Sequence, residues 1–171
     1  MSEPELSRPV DVRQAEGKAM SIVASEAERV ALSERFGLVR IDRLEAEIEL
    51  HRKDRRVTAS GTLSADFVQS CAVSAEDLPV SIDEDLLFRF VPPHSGYEPE
   101  EEIEIDAEDC DEIEYEGTHF DVGEAVAQSL ALAIDPFATG PEADETRRKA
   151  GISDEASSGP FAALAALKKP D

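Results

Sequence analysis

The chain has 171 residues, 41% of them apolar and 33% charged, which suits one domain with a modest core and excludes an acidic tail disordered throughout. Lys and Arg total 17 against 39 Asp and Glu, a formal net charge of −22, which argues against phosphate or anionic lipid as main target and for basic proteins. No apolar run approaches the roughly 20 residues of a spanning helix, and the acidic start MSEPELSRPVDVR has no leader-like apolar stretch, so a cytoplasmic protein is expected.

Val10 and Val12 alternate enough to begin a short strand leading toward residues 21–23. Ser25 and Glu28 then form a capping box, Ala, Glu, Arg and Leu follow, and Gly37 stands where a left-handed cap belongs, so a helix is predicted over 25–36. Ala27, Val30 and Ala31 share one face while Leu32 and Phe36 point elsewhere, which predicts a helix either well buried or wedged between two surfaces. After Gly37 the two-residue alternation of a strand begins at Val39 and Ile41 and continues with Leu44, Ala46, Ile48 and Leu50 inside and Arg43, Glu45, Glu47 and Glu49 outside. The basic turn HRKDRR at 51–56 reads as a solvated hairpin tip, with too few cations for strong phosphate binding.

Residues 57–91 organise the rest. Val57, Ala59, Leu63, Ala65, Phe67, Cys71 and Val73 alternate with small polar residues, and after SAEDLP the phase resumes at Val80, Ile82, Leu86, Phe88 and Phe90, which predicts two long antiparallel strands around a polar turn. PPHSGYEP at 92–99 is a loop. From residue 98 to 116, twelve of nineteen residues are acids: Glu98, Glu100, Glu101, Glu102, Glu104, Asp106, Glu108, Asp109, Asp111, Glu112, Glu114 and Glu116. No Lys or Arg occurs between Arg89 and Arg147. Ile103 and Ile105, then Ile113 and Tyr115, keep a strand-like alternation, with 106–111 as the turn, so the acids would form the outer face of a hairpin or of one strand and a loop.

Asp121 and Glu124 repeat the capping signature ahead of VGEAVAQSLALAI, whose Val122, Ala125, Val126, Ser129, Leu130 and Ala133 make one stripe, ended by Pro136. Pro, Gly, Ser and charge dominate 137–160, read as a mostly disordered linker, and PFAALAALKK gives a short apolar helix at 160–169. The expected organisation is an α+β domain over 1–136 and a flexible tail over 137–171. The fold expected is a curved antiparallel sheet of about five to seven strands, hairpin-rich, with closure toward a barrel as one outcome, covered by two main helices. Its core would hold Leu44, Ile48, Leu50, Leu63, Phe67, Cys71, Ile82, Leu86, Phe88, Phe90, Val126 and Leu130.

Known chemistry finds little footing. Neither Asp106 nor Asp109 begins a loop with the glycine and the later Glu of an EF-hand, so no metal is expected from the acids. Cys71, Cys110, His51, His94 and His119 lack zinc spacings, and the cysteines, with no Cys-x-x-Cys, suit a reducing compartment. A nucleophilic set of Cys71, His119 and Asp121 can be drawn, but a cysteine on an inward strand face is normally a small hydrophobe. Phosphate loops, the serine elbow and HExxH are absent.

Four stretches together resemble the YceD-like family of large ribosomal RNA subunit accumulation proteins, in the form found in alphaproteobacteria. They are SEAERVALSERFGL at 25–38, GTLSADFVQSCAVSAEDLPV at 61–80, GTHFDVGEAVAQSLAL at 117–132, and AIDPF with PFAALAALK toward the end. Many members have Cys-x-x-Cys where this chain reads Cys71-Ala72-Val73-Ser74, and some have a second pair; only Cys71 remains here, so a zinc role suggested for those relatives does not carry over. The resemblance implies a cytoplasmic, non-enzymatic factor, without cofactor, that supports accumulation of large-subunit ribosomal RNA. Charge turns the expected partner from RNA, a polyanion, to a basic large-subunit ribosomal protein held on the acids of 98–116, with no membrane and no small-molecule substrate. The alternative is an acidic adaptor or nucleic-acid mimic that blocks a nucleic-acid-binding protein.

Overall fold

The structure is a computed structural model and describes residues 4–93 and 111–151. Its elements run β1 (Pro9–Asp11), a 3-10 turn (Val12–Gln14), β2 (Lys18–Val23), α1 (Glu26–Phe36), β3 (Arg40–Lys53), β4 (Arg56–Ser70), β5 (Asp77–Val91), β6 (Asp111–Glu114), β7 (His119–Asp121), α2 (Val122–Ala133) and α3 (Ala143–Lys149). A five-stranded sheet has the order β2-β3-β4-β5-β6, and β1 pairs with β7 in a separate two-stranded sheet. The fold is therefore α+β. Among the described residues its large sheet is open, with β2 and β6 at opposite edges.

The two long hairpins follow directly from the alternation. β3 and β4 are antiparallel from Arg40↔Val68 to Lys53↔Arg56 and turn on Asp54 and Arg55, where Asp54 takes a φ of 58°. β4 and β5 pair from Ser70↔Asp77 to Val57↔Phe90. The apolar phase slips once in β3, from Ile41 to Leu44, and the ladder slips there too, with a bulge between Ile41 and Arg43. Every expected core position is buried except Ile82, which is half-buried against the same cluster.

Both main helices begin where their caps predict. Ser25 and Glu28 make the reciprocal capping box of α1, and Gly37 closes it at φ 66°. Asp121 caps α2 by accepting from the Glu124 amide, while its carboxylate also accepts from the Arg8 amide at 2.8 Å and the Ser7 hydroxyl at 2.6 Å. One side chain thus starts the helix and fastens the N-terminal segment beside β7. Arg35 spans the helices, reaching Glu124 and Glu5 at 2.8 Å each.

Four expectations need correction. The large sheet is mixed, because β6 runs parallel to β5, from Phe88↔Asp111 to Val91↔Glu114; a parallel neighbour needs a long connection, and residues 92–110 join the two. The first arm of the expected acidic hairpin, with Ile103 and Ile105, lies outside the described residues. Helix α1 is neither deeply buried nor wedged: Leu32 and Ser33 face inward, while Val30 on the opposite side is 54% exposed. Within the stretch expected to be disordered, α3 forms a seven-residue helix with acids in its first turn and bases in its last. Finally, β1 pairs with β7 instead of leading into the sheet of β2. The expected helix at 160–169 lies outside the described residues.

Candidate functional site

One face of the large sheet packs on the helices; the other is open and carries the charge. Register sets it out in rows across β3, β4 and β5: Glu45, Ser64 and Asp83; Glu47, Thr62 and Asp85; Glu49, Ser60 and Leu87; His51, Thr58 and Arg89. Small hydroxyl side chains on β4 leave the carboxylates of β3 and β5 standing on either side of a low central strip. Arg89 extends the last row to Glu112 of β6, with 3.3 Å between Nη1 and Oε1.

Hydroxyls and two arginines hold these acids in place. The Ser21 hydroxyl donates to Glu47 at 2.6 Å, and that of Ser64 to Asp83 at 2.5 Å. Arg43 sits at one end, 2.7 Å from Asp66 and 3.4 Å from Glu45. Its hydrogen bond lowers the Asp66 pKa, and Asp66 in turn raises that of Arg43.

Of the acids expected on the acidic face, Glu112 and Glu114 lie exposed on β6, and Glu116 is exposed just beyond it. Asp111 pairs with Phe88 at the start of β6. Glu98, Glu100, Glu101, Glu102, Glu104, Asp106, Glu108 and Asp109 lie outside the described residues, as does Cys110. What the sequence reading did not assemble is the joint face of Glu45, Glu47, Glu49, Asp83 and Asp85. The signal was present: aligning the hairpins on their two turns places these outer positions in common rows.

Cys71 opens the β4–β5 turn and is 3% exposed. Its Sγ accepts from the amides of Ser74 and Gly140 at 3.3 Å and of Val73 at 3.4 Å. Hydrogen bonding by Ser74, side chain then amide, brings the thiol down to about 7, helped by Gly140 and Val73 and opposed by burial. The Ala72 amide donates to Ala138, and the Glu76 carboxylate accepts from the Glu142 amide, so this turn fastens the chain that follows α2.

The other chemistry considered is dispersed. Asp121 is taken up by Ser7, Arg8 and Glu124, His119 lies beside Thr118 and Asp11, and Cys71 accepts from Val73, Ser74 and Gly140, so among the described residues no hydrogen bond joins the three. Among the described residues, no three His, Cys, Asp or Glu converge as metal ligands. Residues 51–56 of the basic tip are all exposed. Among the described residues, no helix is long and apolar enough to cross a membrane.

Neither a curated protein nor a solved structure matches the chain. The family model described as large ribosomal RNA subunit accumulation protein YceD matches residues 59–168, from β4 through α3 and beyond, well over half of the sequence. The chain therefore belongs to the YceD family of large ribosomal RNA subunit accumulation proteins.

Proposed function

We propose that this protein supports the accumulation of large-subunit ribosomal RNA in the cytoplasm without catalysing a reaction, by holding a basic ribosomal protein on its acidic surface. The family supplies the ribosomal context. The observation that carries the mechanism is the open sheet face, where Glu45, Glu47 and Glu49 on one side and Asp83 and Asp85 on the other flank a strip of Ser and Thr. The sequence adds twelve acids over 98–116, of which Glu112 and Glu114 lie on β6.

At −22, the chain repels nucleic acid and attracts polycations. A ribosomal protein rich in Lys and Arg needs such shielding before it meets RNA. Complementary charge gives fast, salt-sensitive association, suited to a partner that must later be released. The test is a pull-down from cells at low and then at high salt, read for protein and RNA. Basic large-subunit proteins retained at low salt and lost at high salt support the reading; RNA retained after those proteins are stripped contradicts it.

A further inference from the structure

We infer that the outer edge of β5 takes up an extended segment of the basic partner by strand addition, with the apolar side chains of that segment lodged against Leu86 and Leu132. This deepens the proposed function and rests on it for the basic character of the partner. β4 pairs with β5 from Asp77 to Phe90, whereas on the opposite side β6 covers only Phe88–Val91. Among the described residues, nothing pairs with residues 80–87 on that outer side, which is the edge offered for strand addition.

Native edges are commonly blunted by charged side chains, proline, a bulge or a covering helix. Here Pro79 stands at the start of the strand and Asp83, Glu84 and Asp85, all exposed, guard 80–87 with one sign of charge only. A second copy of β5 laid against it would set carboxylate against carboxylate, which disfavours self-pairing. A strand bearing Lys or Arg meets the opposite charge.

The side of this edge nearer α2 combines apolar residues with the exposed Glu84, which shares its face with Leu63. Leu132 is 80% exposed above the buried Leu86 and Phe88. A depression of about 250 Å³ is lined by Glu84, Asp85, Leu86, Ser129, Leu132 and Ala133. A second, of about 330 Å³, includes Phe88, Ile113 and Leu132. A strand added about 4.8 Å from β5 turns alternate side chains to opposite faces. One set enters these depressions; the other stands on the open face beside Asp83 and Asp85, whose register with Ser64 and Thr62 places them there. The segment that fits alternates aliphatic with basic residues, its backbone giving affinity and its side chains giving selection.

The test uses the full chain and a labelled ten-residue peptide alternating lysine with valine, beside the same peptide N-methylated at every second residue. Methylation keeps charge and side chains but removes the amide donors of one edge. The parent peptide is expected to bind at least tenfold more tightly than the methylated one, to slow amide exchange at 80–87, and to lose about tenfold with Leu132→Lys, a variant at an exposed position. Equal affinity for both peptides overturns strand addition and leaves the charge-based reading standing. Failure of both peptides to bind at low salt overturns both. Amides at 80–87 protected in the free protein and unchanged by peptide place the chain itself or a second copy on the edge, which also overturns the inference.

Discussion

Gly61 lies so close to Glu47 across the β3–β4 ladder that a methyl group on Gly61 would overlap the Glu47 carbonyl oxygen. The obstacle is backbone in the middle of two long strands, so relief requires the ladder itself to shift. Gly61→Ala is expected to cost about 2–4 kcal/mol in urea unfolding, in the range of overpacked or strained core sites. Gly17→Ala, at φ 67° with open space around it, costs only about 1 kcal/mol through backbone strain. Similar values for the two variants would contradict the close approach.

Asp121 supports three contacts at once: the cap of α2, the Arg8 amide and the Ser7 hydroxyl. Asp121→Ala leaves those donors without their acceptor and is expected to cost about 2–3 kcal/mol, with faster amide exchange at Arg8 as the local sign. An effect confined to the first turn of α2 would show that the N-terminal segment is held by other contacts.

Glu28 both closes the capping box of α1 and takes two hydrogen bonds from Arg8, at 2.7 and 3.1 Å. The Arg8 guanidinium leads the lowering of its pKa from 4.5 to about 2. Because the folded value lies below the unfolded one, the stabilisation is complete above about pH 4.5 and is lost as pH falls through about 2. Glu28→Gln should therefore be less stable than the parent at neutral pH, by about 1 kcal/mol for a partly exposed pair and cap. The gap should close in acid. A gap that persists below pH 2 would contradict the assignment.

The Cys71 thiol, with its folded pKa near 7 against an ordinary value of 9, is expected to titrate accordingly. In a Cys110→Ser variant, thiolate absorbance of the folded protein should rise with a midpoint near pH 7. Its contribution to stability is present in full above pH 9 and falls away as pH drops through 7. A midpoint above 8.5 would mean that the amides of Ser74 and Gly140 do not stabilise the thiolate.

The long hairpins, both capped helices and nearly all of the core were legible because each rests on local chemistry: a two-residue alternation, Ser25 with Glu28, Asp121 with Glu124. The bulge near Asp42 was visible as the slip in phase between Ile41 and Leu44. Parallel pairing of β6 was not legible, since Ile113 and Tyr115 alternate in the same way whatever strand they join. The exposed side of α1 was misjudged because Val30 is apolar yet faces away from Leu32, and a short helix with few apolar residues does not declare which side is covered. Helix α3 owes its form to pairs such as Asp144 with Arg147 and Glu145 with Lys149, a weak signal beneath the surrounding Pro and Gly. The acidic face was half legible: the outer positions of β3 and β5 were clear one strand at a time, but their union required the register.

The most direct measurement is a titration of the purified chain with a basic large-subunit ribosomal protein at rising salt, repeated with Glu45, Glu47, Glu49, Asp83 and Asp85 changed to Gln or Asn. Tight binding at low salt, weakened at least tenfold at high salt and by about ten- to a hundredfold through the five neutral substitutions, is the predicted result. Binding that ignores both salt and the substitutions would contradict the acidic sheet face as the place where the partner is held.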